Sequence, residues 1–324
     1  MSCRRYPGLP PLLALLVAAA CGGEEPRPAA EAEADPASPE ARPAGVIYTV
    51  NYPLAYFAER IGGERVRVEF PAPAGSDPAY WSPGPEAIVA YQDADLILLN
   101  GAGYASWVPR ASLPESKLVN TSAALEGTYI VVEEAVVHTH GPEGEHEHEN
   151  TAFTTWLDPV LAIEQARAIR DALTGLQPAD AAVFEAGFGE LEEDLTALDG
   201  RLERWADAWA GQPLLASHPV YQYLARRYDL GLRSVHFEPD AVPEAHAWRD
   251  LRAIVGEHPA QWMLWEGEPL PETRDRLADE LGIASVVFDP VAGRPATGDY
   301  LSVMQTNAER LEAMATEAQG SGLR

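Results

Sequence analysis

The chain has 324 residues and carries 50 acidic against 23 basic side chains, for a formal net charge of −27. It lacks the basic face that displaces counterions from a phosphate backbone, which argues against nucleic acid as a partner, and an anionic membrane surface repels it. Apolar residues make up 46%, enough to bury a core, and the length fits roughly two domains.

Arg4 and Arg5 precede an apolar run from Leu9 to Ala20, interrupted only by Pro10 and Pro11. The run falls short of the ~20 residues that span a bilayer and reads as the core of a signal peptide. It ends Ala18-Ala19-Ala20-Cys21, which resembles a bacterial lipobox without the usual Leu three places before the Cys. Residues 1–21 are therefore expected to be a lipoprotein signal peptide ending at Cys21, the acylated residue. The two cysteines, Cys3 and Cys21, both lie here. The rest of the chain has no disulfide and no thiol nucleophile, so a metal site in it must use His, Asp or Glu. Residues 22–45 hold no aromatic or large aliphatic residue and are predicted to be a disordered tether.

The first lobe is predicted over 46–177. Strands are expected at 46–50, 66–70, 95–100 and 129–132, with helices at 54–61, 85–93 and after Pro159 to about Leu176. His138 to Asn150 breaks this pattern with four of the eight histidines among Glu and Gly. Next, Phe184, Phe188, Leu191, Leu195, Leu198, Leu202, Trp205 and Trp209 recur at alternating spacings of four and three. They share one face of a helix predicted over 178–210. At ~45 Å it is long enough to bridge two lobes. A second lobe is predicted over 211–324. Its strands are expected at 214–217, 262–265 and 285–288, and its helices at 221–228, 244–256, 272–281 and 300–315. Strand–helix alternation on both sides of one long helix predicts an α/β fold: two Rossmann-like lobes with parallel sheets, joined by a long rigid linking helix.

In such a fold, chemistry sits in the cleft near the C-terminal ends of strands. Three segments have that placement: Gly75-Ser-Asp-Pro-Ala-Tyr-Trp-Ser-Pro83, Ser217-His218-Pro219 and Phe288-Asp289-Pro290. Alone, a His or Asp there can equally be a helix cap or a hydrogen-bonded loop residue. Together with Tyr48-Thr-Val-Asn-Tyr-Pro53, Asn100-Gly101, Trp156-Leu-Asp-Pro159, Glu266, Asp299-Tyr-Leu and Asn307, they resemble the substrate-binding proteins of zinc and manganese ABC importers. The likeness runs from about Val46 to Ala315. It implies an extracytoplasmic, lipid-anchored binding protein that takes Zn(II), or Mn(II), in the inter-lobe cleft. It also implies delivery to a permease with its ATPase, with the chain monomeric and touching the membrane only through its anchor.

The resemblance places metal ligands at His218 and Asp289. The two first-lobe histidines of the family are replaced here by Ala79 and Thr154. Alanine cannot ligate and a neutral threonine is a poor zinc ligand, so two of four positions are vacant. Three readings stay open. The loop 138–149 supplies imidazoles from His138, His140, His146 and His148. Or the metal site is lost and Tyr80 and Trp81 line a pocket for another ligand, in a binding or interaction lipoprotein that kept the fold. Or His and Asp with a metal activate water; no nucleophile elbow, His-Glu-X-X-His or phosphate loop supports an enzyme. Glu266 is a candidate cleft residue, and His236, Glu238 and His246 are expected at the surface. Two further expectations are small lobe movements and metal affinity that falls below about pH 6.5.

Overall fold

The computed structural model describes residues 45–132 and 151–320. The predicted signal peptide, nearly all of the tether and the histidines at 138, 140, 146 and 148 lie outside them. No helix among the described residues is long and apolar enough to cross a membrane.

Strand β1 (Gly45–Thr49) leads to α1 (Tyr52–Gly62), started by the Asn51 side chain accepting from the Leu54 N–H. Then follow β2 (Val66–Glu69), α2 (Pro85–Asp93), β3 (Leu96–Leu99) and β4 (Leu118–Asn120). The four strands form one parallel sheet in the order β2-β1-β3-β4. The strand predicted at 129–132 is not part of it: Val131 makes only an isolated antiparallel bridge with Thr151. Tyr129, Ile130 and Val132 instead pack with Leu125 and Leu161 around buried Tyr223 of the second lobe. Apolar burial against that lobe replaces strand pairing, and the sheet edge goes to Leu118–Asn120.

Helices α3 (Pro159–Leu176) and α4 (Ala181–Trp209) follow. All eight apolar residues of the predicted α4 stripe are buried. Helix α4 ends with Ala210 at φ 57° and Gly211 at φ 68°, a left-handed stop. It packs on α1 and α3 and on the C-terminal helix, Tyr300–Gly320.

The second lobe repeats the plan with β5 (Leu214–Ala216), α5 (Gln222–Arg227), β6 (Leu232–Ser234), α6 (Ala245–Glu257), β7 (Trp262–Trp265), α7 (Pro271–Leu281), β8 (Ala284–Val287) and α8 (Tyr300–Gly320). Its sheet is parallel in the equivalent order, β6-β5-β7-β8. In each sheet the strand order reverses between the first and third strands in sequence. Loops leaving those strands splay apart there and open a crevice. Asn51 and Asn100 to Tyr104 leave β1 and β3; His218 and Glu266 leave β5 and β7.

Candidate functional site

A cleft of about 260 Å³ lies between the lobes, lined on one side by Asp77, Tyr80, Tyr104 and Thr154 and on the other by His218, Glu238, Glu266 and Asp289. His218 follows β5 and is largely buried. Its Nε2 stands 3.2 Å from Glu238 Oε1 and its Nδ1 2.9 Å from Glu266 Oε1. Burial opposes the imidazolium, but the two carboxylates outweigh it, and the His218 pKa is pushed up to about 9.

Asp289 is fixed from both sides. Its N–H donates to Asn307 Oδ1 at 3.1 Å, its carbonyl accepts from Asn307 Nδ2 at 2.7 Å, and its Oδ1 accepts from the Val291 N–H at 2.7 Å. Val291 holds φ 57°, an unusual conformation for a β-branched residue. Burial raises the Asp289 pKa, the Val291 hydrogen bond opposes that, and Glu266 adds to the rise.

The two replaced positions are plainly out of play. Ala79 is buried, and its N–H donates to Asp77 Oδ1 at 2.8 Å. The Thr154 hydroxyl donates to the Val220 carbonyl at 2.5 Å, across the lobes. A buried polar network sets this wall. Asn100 accepts from Asn51 at 3.1 Å and from Gln165 at 3.2 Å, and donates to the Phe153 carbonyl at 2.8 Å.

Of the other sequence candidates, Tyr80 and Glu266 line the cleft, whereas Trp81 packs edge-on against Trp107, with ring centroids 6.5 Å apart. His246 is exposed beside Glu244. Glu238, expected at the surface, is half-exposed but reaches His218. His236 sets its ring against His218 at 5.8 Å. Tyr104 was not read from sequence. Its ring is 2% exposed and its hydroxyl has no hydrogen-bond partner among the described residues, an arrangement that costs ~1–3 kcal/mol unless something fills it.

Four carboxylates around one imidazole make a cation-attracting cleft. Yet among the described residues no group of three His, Cys, Asp or Glu is arranged to hold a metal ion. Glu238 and Glu266 instead stand at the two nitrogens of His218.

A profile of the family "Zinc-uptake complex component A periplasmic" matches residues 47–314. The chain belongs to this family. It is 26% identical to the high-affinity zinc uptake system protein ZnuA of Bacillus subtilis (strain 168), over 92% of this chain and 93% of that one. It is 23% identical to the manganese ABC transporter substrate-binding lipoprotein PsaA of Streptococcus pneumoniae, over 82% and 87% respectively. In fold it matches the crystal structure of the metal-dependent lipoprotein YcdH from Bacillus subtilis, with a TM-score of 0.71 at 24% identity over 84% of this chain and 98% of that one. It also matches the Zn(II)-bound ZnuA-like domain of Streptococcus pneumoniae AdcA, with a TM-score of 0.70 at 24% identity over 84% and 99%. These relatives are substrate-binding proteins of metal transport, not enzymes. Family members bind zinc or manganese as transported ligand and work with a permease and an ATPase.

Proposed function

We propose that this chain is a lipid-anchored extracytoplasmic receptor that captures Zn(II) and passes it to an ABC permease. The observation that carries the reading is His218, a buried imidazole at the C-terminal end of β5, in the same cleft as the twice-anchored Asp289. Imidazole suits zinc, and the zinc-uptake relative is similar along nearly its whole length. The imidazoles of His138, His140, His146 and His148 gather the ion near the cleft, since their segment ends only a few residues before Thr154 in sequence. Cys21 carries the lipid, as the names of several relatives as lipoproteins support.

One observation favours Mn(II) as the cargo. Asp77, Glu238, Glu266 and Asp289 make the cleft rich in hard oxygen donors, which suit manganese. A calorimetric titration of the full chain with each ion separates the readings. Zinc is expected to bind more tightly than manganese. His218→Ala is expected to abolish the cleft site and leave weaker loop-bound zinc, which deletion of residues 138–149 removes. Binding no tighter than millimolar for either ion would refute the metal reading. An unchanged titration after the deletion would remove the loop from it.

A further inference from the structure

Tyr104 ends the most contorted stretch of the first lobe. Gly101, Ala102 and Gly103 have φ of 78°, 51° and 73°, three left-handed residues in succession. The Tyr104 N–H closes the turn onto the Gly101 carbonyl at 3.1 Å. Only glycine fits at its start: a Cβ at Gly101 would lie 2.1 Å from Ser122 Oγ and 2.4 Å from Asn120 Oδ1. Unusual backbone of this kind persists where the surroundings over-determine it, often to aim a functional side chain.

Here it aims Tyr104 into the cleft. The ring packs edge-on against Phe153 and Trp156, with centroids 5.1 and 5.6 Å away. A phenylalanine would make those contacts equally well. The hydroxyl adds nothing to them; it is buried and unpartnered among the described residues, with Asp77 and Tyr80 as its ionisable neighbours. A buried hydroxyl with no protein partner in a ligand cleft points to the ligand.

The cleft's donor inventory identifies what that ligand brings. Ala79 has no ligating side-chain atom and the Thr154 hydroxyl is engaged by the Val220 carbonyl, so His218 and Asp289 leave a four-coordinate ion half-filled. The cleft volume of about 260 Å³ exceeds the need of a bare ion and, at ~30 Å³ per water, holds several. Resting on the metal reading above, we infer that the cargo sits in the cleft as a partly hydrated divalent cation, bound directly by His218 and Asp289 and through its waters by Tyr104 and Asp77. A metal-bound water donates to the Tyr104 oxygen and another donates to the Asp77 carboxylate. The first lobe thus reads the hydration shell, and the second lobe reads the ion.

The test uses Co(II) as probe in the full chain carrying the deletion of 138–149, which removes loop imidazoles from the spectrum. Weak visible bands, the signature of a water-rich, higher-coordinate ion, are expected. Tyr104→Phe is expected to weaken Co(II) and Zn(II) binding about tenfold, the size of one lost hydrogen bond, and to leave metal-free thermal stability unchanged or raised. Intense four-coordinate bands would overturn the inference alone. So would Tyr104→Phe with unaltered affinity, or with lowered metal-free stability as the only effect. Absence of any Co(II) or Zn(II) binding, with the loop deleted or intact, would overturn both this inference and the metal reading.

Discussion

A histidine clamped between two carboxylates gives up a proton before it takes a metal. In the metal-free fold, His218 has a pKa of about 9, because hydrogen bonds to Glu238 and Glu266 override its burial. In the unfolded chain it titrates near ~6.5. The stabilisation from this clamp is therefore full below about pH 6.5 and is lost as pH rises toward 9. With chelator present, the melting-temperature advantage of wild type over His218→Gln should shrink across that window. Cargo affinity should do the opposite and climb across it, since fewer protons remain to be displaced. The bare-imidazole expectation of weakening only below about 6.5 is thus shifted to alkaline pH by two residues. One of them, Glu266, was legible in the sequence as a cleft candidate. The other, Glu238, was not, because it follows β6, a three-residue edge strand too short to show a period. Tyr104 was illegible for a different reason: its meaning lies in a hydroxyl left without a partner, which exists only in three dimensions.

Among elements, the linking helix was the most legible, since eight apolar residues on one face leave little choice of structure. What the sequence could not show is how closely α4 approaches α1. At Gly187 an added Cβ would lie 2.7 Å from the Arg60 and Ile61 carbonyl oxygens, which are backbone atoms. At Gly189, two residues on, it would meet nothing within 4 Å. Helix propensity alone favours alanine over glycine at both places by up to ~1 kcal/mol. Gly187→Ala should nonetheless destabilise the protein by ~1–3 kcal/mol, because α1 and α4 must separate to admit the methyl. Gly189→Ala should stabilise it by ~0.4–1 kcal/mol. Urea midpoints of the two variants moving in the same direction would refute this account of the crossing. The sheet edges were the least legible elements. Leu118–Asn120 is short and half-buried throughout, while the more apolar 129–132 segment turned out to cover Tyr223.

At the scale of the molecule, the lobes are joined by far more than one helix. The Trp156 indole donates to the Pro290 carbonyl at 2.8 Å, and the Tyr300 hydroxyl donates to the Trp156 carbonyl at 3.0 Å. Tyr300 also packs on Tyr56 and Phe57 of α1. Arg60 grips Asp194 at 2.7 Å, and Arg201 grips Glu312 through two nitrogens, tying α4 to α1 and to α8. Buried ties like the first two cannot break one at a time without leaving polar groups unsatisfied. Small-angle scattering profiles with and without metal should therefore superimpose, and a contraction on loading would show a hinge that these contacts forbid.

The bond from Thr154 to the Val220 carbonyl adds a thermodynamic consequence. A cleft whose walls are pinned to each other before the ion arrives does not bury further apolar surface by closing when it does. The heat-capacity change of loading should then be close to zero, unlike that of a receptor that shuts around its ligand. Placing a histidine at this position to restore a ligand would not be a simple repair, because it would remove the hydroxyl that donates to the Val220 carbonyl.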